Sequence, residues 1–145
     1  PGDRGSSAVT VGVVWAGDGR CVLDHPEGHR LPTALPRELG GEADAFSPTE
    51  MVAGALGACV LATLGLWAAR RGLVLDGMRA TVEKEMGAGG RRIAALRVSV
   101  SLPESVPAQL RPALERVGHA CPVHASLHPE IDSPIVYAYG DVPGQ

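Results

Sequence analysis

Aromatic residues are nearly missing from this sequence: Phe, Trp and Tyr make up 3% of it, against a hydrophobic share of 45%. Packing therefore falls to Ala, Val and Leu, which suits closely approaching helices and β-branched strands, and the apolar content excludes a disordered chain. A dominant charge is missing too. With 13 Lys and Arg against 16 Asp and Glu, the formal net charge is -3, and no basic stripe is present to neutralise a row of phosphates. That argues against nucleic acid as a partner. Cysteine is scarce, at three residues, so not all can pair. Neither CxxC nor HExxH occurs. The polar, Gly-rich segment Pro1–Ser7 has neither an apolar h-region nor the small-residue cleavage site of a secretory signal, so a cytoplasmic location is expected. In such a reducing compartment a functional thiol pair is expected to cycle, not to staple the fold.

What is present fits one domain, residues 1–145, long enough to bury a core. Val9, Val11, Val13 and Trp15 alternate with Thr10, Gly12 and Val14, the period-two pattern of a strand, and Gly17-Asp18-Gly19 supplies a turn into a second strand near Arg20. The stretch His25–Asp44, broken by Pro26, Gly28, Pro32, Pro36, Gly40 and Gly41, has room for at most one further short strand. At Ser47-Pro48-Thr49-Glu50 an N-cap, a first-position proline and a glutamate three residues after the serine make a capping box, so a helix starts here. Arg70, Arg71 and Gly72 mark its end. Met51–Ala69 carries no charge and approaches the length of a membrane span, but its glycines, alanines and Thr63 favour a central helix buried on most of its faces, and no membrane is expected.

Gly77–Met86 and Arg91–Leu102 read as a hairpin joined through Gly87-Ala88-Gly89-Gly90, with Ala80, Val82, Leu96, Val98, Val100 and Leu102 facing the core. From Ser105, Leu110, Leu114 and Val117 recur at helical spacing and lead to Cys121. Pro122 opens a short segment through Leu127, and Ile135–Tyr139 reads as a closing strand. Cys59 lies near the middle of its helix and Cys121 at a helix start, where the local positive field is expected to favour a thiolate. Cys59 gains little from a helix dipole and needs a nearby cation.

Three stretches carry a resemblance: Ser47-Pro48-Thr49-Glu50-Met51, Ala55-Leu56-Gly57-Ala58-Cys59 and Cys121-Pro122-Val123-His124, supported by Leu35-Pro36-Arg37-Glu38-Leu39-Gly40-Gly41. In this order they are similar to the motifs of the superfamily of osmotically inducible protein C and organic hydroperoxide resistance proteins (OsmC/Ohr). The resemblance implies an α+β fold of antiparallel β-sheets wrapped around central helices in an intertwined homodimer. It also implies a thiol peroxidase in which Cys59 attacks an organic hydroperoxide, Cys121 resolves the product as a disulfide, and a dithiol such as a lipoyl group restores the enzyme, with no cofactor. Arg20 falls near the family's charge-stabilising arginine. Leu56, Val60, Trp67 and Val123 would line an apolar substrate site.

Peroxidase members of the family carry a carboxylate directly after the proline of the first motif, where this chain has Thr49. Glu50, one residue on, is turned about 100° around a helix and is assigned to the capping box. Two other readings compete. A non-catalytic dimeric module that binds a small apolar ligand or senses oxidation needs the same pocket. A zinc site would draw on Cys121, His124 and His128, or on His25 and His29, but their spacing fits no zinc motif and His124 is read as a polar residue at a rim or surface. Cys21 is read as structural.

Overall fold

A computed structural model describes residues 8–140; the segment Pro1–Ser7 lies outside the described residues. The chain divides between Met51 and Val52 into two compact units.

The first unit is a three-stranded antiparallel sheet in the order β1 (Gly12–Gly17), β2 (Arg20–Asp24), β3 (Arg30–Thr33). The turn between β1 and β2 falls where the sequence puts it. Gly17 pairs with Arg20, and Asp18 and Gly19 between them both have positive φ, 54° and 76°. Two positive φ values in a two-residue loop match the right-handed twist of a hairpin, and Asp and Gly tolerate them. β3 is the one further short strand expected. Pro32, opposite Val22, has no amide to donate and suits an edge. β1 begins at Gly12, later than the alternation suggests, and both its faces are exposed in this chain, with Val13 at 62%, Val14 at 53% and Trp15 at 67%.

Helix α1 (Pro48–Ala69) starts at the expected capping box. The Glu50 amide donates to Ser47 Oγ at 3.3 Å, and the Ser47 amide donates to Glu50 Oε1 at 2.7 Å. Its far end closes as a Schellman motif: Leu73 N–H donates to the Ala68 carbonyl at 3.0 Å and Gly72 N–H to that of Ala69 at 3.3 Å, with Gly72 at φ 66°. By length and composition α1 could cross a membrane. Within the chain it is buried along one stripe only, Ala53, Leu56, Gly57, Val60, Leu64 and Ala68, while Gly54, Ala55, Ala58, Ala62 and Leu66 are exposed. The expectation of burial on most faces is thus corrected: the single chain supplies one layer of partners.

Those partners are β4 (Arg79–Met86), β5 (Ile93–Leu102) and β6 (Ile135–Tyr139), side by side in that order. β4 and β5 form the expected hairpin, with Ala80 opposite Val100 and Val82 opposite Val98. Leu96, Val98, Val100 and Leu102 are buried in one cluster with the α1 stripe, Leu114, Cys121 and Ile135. Gly57 lets helix and sheet close up, since a Cβ there would stand 3.1 Å from Val82 Cγ2.

Two features differ from the sequence reading. β6 runs parallel to β5, Val98 beside Ile135 and Val100 beside Tyr137, so this sheet is mixed where antiparallel sheets were expected. The cause is the connection. Parallel neighbours need a crossover, and α2 (Arg111–His119) with α3 (Pro122–Ala125) provides it. The helix expected from Ser105 also starts late: Ala108–Leu110 is a 3-10 turn, and α2 begins at Arg111. Pro112 has no N–H to complete an α-type bond to Ala108, so the Arg111 amide closes on the Ala108 carbonyl in the tighter 3-10 geometry.

Candidate active site

The second unit brings Cys59 and Cys121 together. Cys59, near the middle of α1, is half-buried against the core. Cys121, between α2 and α3, is completely buried, at 0% exposure. They pack in the same apolar cluster, near enough for the Cys59 side chain to act on the Cys121 thiol. Residues 62 positions apart in sequence thus present two sulfurs to one another, one enclosed and one at the margin.

Cys121 is the N-cap of α3, as its place before Pro122 suggests. It has extended backbone angles, and its sulfur accepts from the His124 amide at 3.3 Å. The expected thiolate does not follow. Burial pushes the Cys121 thiol up, the His124 amide pulls it down, the neighbouring Cys59 raises it again, and the net direction is upward. A helix of four residues contributes few aligned peptide dipoles, and loss of water outweighs them. Cys121 is therefore a protonated thiol near neutral pH, its sulfur accepting from the His124 amide.

His124 does not lie loose at a rim. It is half-buried, with Nδ1 3.1 Å from the His119 carbonyl and Nε2 3.0 Å from the Ser133 carbonyl and 3.2 Å from Ser133 Oγ. The sequence signal for part of this is the N-cap rule itself. In Cys-Pro-Val-His the fourth residue has the amide that a capping side chain accepts from. The ring contacts with His119 and Ser133 have no such signal. Neither does Tyr137, whose hydroxyl donates to the Glu115 carbonyl at 3.1 Å. Burial, with Glu115, Tyr139 and Cys121 nearby, pushes this phenol up to about 12.

Leu56 and Val60 are fully enclosed in the core cluster, and Trp67 and Val123 pack half-buried against it. The Arg71 guanidinium stacks 4.2 Å from the Trp67 ring centre and donates to the Trp67 carbonyl at 3.2 Å. Arg20 belongs to the first unit, where its guanidinium donates to Asp44 at 2.9 Å. Cys21 is half-buried on β2, its amide donating to Thr33 Oγ at 3.2 Å. Among the described residues no group of three or more His, Cys, Asp and Glu is placed to hold a metal ion. The His25 and His29 rings lie with centres 5.2 Å apart, tilted 48° to each other.

The sequence pattern that defines OsmC-like proteins matches residues 41–135, well over half of the chain. No curated protein matches the sequence. Among solved structures, the chain is similar to one from Psychrobacter arcticus 273-4 named for osmotic stress induction and a detoxification response. The two share 26% identity and a TM-score of 0.84 over 93% of this chain and 99% of that one. An organic hydroperoxide resistance protein OsmC from Legionella pneumophila shares 21% identity and a TM-score of 0.69 over 91% of this chain and 97% of that one. One from Elizabethkingia anophelis, an organic hydroperoxide resistance protein with thiocyanate bound, shares 18% identity and a TM-score of 0.73 over 92% of this chain and 99% of that one.

Proposed function

The chain belongs to the OsmC-like protein family, and we propose that it is a thiol-dependent peroxidase that reduces organic hydroperoxides through Cys59 and Cys121. The observation that carries this reading is the packing of both thiols in one apolar cluster, with Cys121 fully buried and Cys59 half-buried beside it. In the first step the Cys59 thiolate attacks the distal oxygen of the hydroperoxide. The O–O bond breaks, the alcohol leaves with one proton, and Cys59 becomes a sulfenic acid. In the second step the Cys121 sulfur attacks the Cys59 sulfur, the S–O bond breaks, and water leaves with the Cys121 proton. A dithiol reductant, of which a lipoyl group is one instance, then takes up the disulfide by two exchanges.

The asymmetry of the pair supports this division of roles. A sulfur at the margin is reachable by substrate, whereas one at 0% exposure is reachable by its neighbour. Arg20 is assigned the charge-stabilising role, and Leu56, Val60, Trp67 and Val123 the apolar surroundings that favour an organic hydroperoxide. A homodimer in the cytoplasm completes the reading. The exposed apolar side chains of β1 and α1, with Trp15 at 67% and Leu66 at 65%, support the dimer, because a second chain would remove them from water.

The test is a stopped-flow reaction of the reduced protein with cumene hydroperoxide, followed by mass analysis. Formation of one alcohol and one Cys59–Cys121 disulfide per chain, with turnover under dihydrolipoamide, is the expected result. Thiols that stay reduced under excess hydroperoxide overturn it.

A further inference from the structure

Within α3, Cys121 is held by two amides, Ala125 N–H at its carbonyl (3.0 Å) and His124 N–H at its sulfur (3.3 Å). The helix is one turn long, and the residue after the cysteine is a proline with no amide to donate. What ties so short a turn to the segments on both sides of it is a side chain, that of His124. We propose that His124 is a positioning residue for the resolving sulfur, its imidazole clasping the end of α2 to the approach of β6 so that Cys121 is held against Cys59. This inference rests on the peroxidase reading above and assigns one of its steps to a named group.

Three observations meet at His124. Its backbone amide donates to Cys121 Sγ at 3.3 Å, so the residue that bears the ring also contacts the sulfur. Its Nδ1 reaches back to the His119 carbonyl at 3.1 Å, the last residue of α2. Its Nε2 reaches forward to Ser133, 3.0 Å from the carbonyl and 3.2 Å from the hydroxyl, two residues before β6 begins. The ring therefore ties together three chain segments that meet around the thiol.

Ser133 offers Nε2 two oxygens, a carbonyl that can only accept and a hydroxyl that can also donate. A neutral ring has one N–H, which serves the His119 carbonyl, and its bare nitrogen accepts from the Ser133 hydroxyl. A protonated ring has two N–H groups, and both carbonyls accept. In the neutral ring the hydroxyl contact offsets the repulsion between the bare nitrogen and the Ser133 carbonyl, 3.0 Å away.

The consequence falls on the second chemical step. Closing a disulfide brings the sulfurs to about 2.05 Å with a restricted dihedral, so attack by Cys121 depends on where its Cβ is held. A sulfenic acid that waits too long meets another hydroperoxide and becomes a sulfinic acid, which a dithiol does not reverse. By holding Cys121, His124 sets the partition of oxidised Cys59 between disulfide and over-oxidation.

The experiment follows the reduced full chain through single turnover with cumene hydroperoxide, with mass analysis of quenched samples. In parallel, the same variants are oxidised with diamide, which takes two electrons and two protons from a dithiol and needs no peroxidase activity. In His124→Ala the first step proceeds at the parent rate. Disulfide formation slows about tenfold to a hundredfold, the range for a displaced reacting group, under both oxidants, and Cys59 sulfinic acid rises with hydroperoxide concentration. Ser133→Ala, which removes only the hydroxyl, shifts the partition the same way to a smaller extent and decides the matter should His124→Ala fail to fold. Parent-like disulfide formation under diamide in the folded variants overturns the assignment. A parent protein inert to hydroperoxide but slowed by these substitutions under diamide removes the peroxidase reading and leaves the clasp standing.

Discussion

Gly118 and Tyr137 share one small volume: the Tyr137 hydroxyl occupies the place a side chain at position 118 would take, and from there it donates to the Glu115 carbonyl at 3.1 Å. A buried residue of α2 thus sets how closely the helix approaches β6, the strand that follows the thiol-bearing turn. Gly118→Ala must therefore expel the phenol and break its hydrogen bond. The expected loss is about 1–3 kcal/mol, the usual cost of overpacking, exceeding the gain of about 1 kcal/mol in helix propensity. Gly57→Ala is the control, because a methyl there meets only a Val82 methyl at 3.1 Å, which can give way. It is expected to stay within about 1 kcal/mol of the parent. Urea denaturation of both variants checks the contrast.

Replacing each thiol should separate the two chemical steps. Cys59→Ser is expected to abolish hydroperoxide consumption. Cys121→Ser is expected to keep the first turnover, accumulate a Cys59 sulfenic acid that a dimedone probe captures, and lose turnover under dihydrolipoamide. Capture of the probe at position 121 in the Cys59→Ser variant would reverse the roles.

Much of this fold can be read from local chemistry. Ser47 to Glu50 declares a helix start because the capping box is satisfied within four residues, and Gly72 declares its end for the same reason. The face of β4 and β5 follows from alternation alone. What escapes sequence reading depends on residues far apart. The parallel pairing of β6 is fixed by which strand it docks beside, and five residues from Ile135 to Tyr139 carry no mark of direction. The ionisation of Cys121 is not legible because the cap is local and visible, whereas the burial that outweighs it comes from the whole unit. The His124 ring contacts likewise reach across the chain to Ser133.

The helix cap should be measurable on its own. Ser47→Ala removes the oxygen that receives the Glu50 amide at a site only 2% exposed. It is expected to cost about 1 kcal/mol in urea denaturation. Glu50→Gln retains an oxygen for the Ser47 amide and is expected to cost less.

The two tyrosines give an optical reading of the same region, since Tyr137 and Tyr139 are the only phenols in the chain. Burial, then the Glu115 carboxylate, pushes each of them up to about 12. The folded state therefore holds these protons more tightly than the unfolded chain, where phenols titrate near about 10. Their contribution to stability is complete below the unfolded value and disappears as pH rises through the folded one. Absorbance at 295 nm should stay flat through pH 10 in the native protein and rise near 10 in guanidinium. A native transition at the free-phenol value would contradict the burial of this corner.

The parallel crossover also bears on how a newly made chain acquires its chemistry. Cys59 and Cys121 both leave the ribosome before Ser133, which receives the His124 ring and is held on β5 through Asp132 and Pro134 beside it. Reactive sulfur geometry thus waits on residues made after both thiols, and a polypeptide stalled before Ser133 carries Cys59 and Cys121 without the clasp across them.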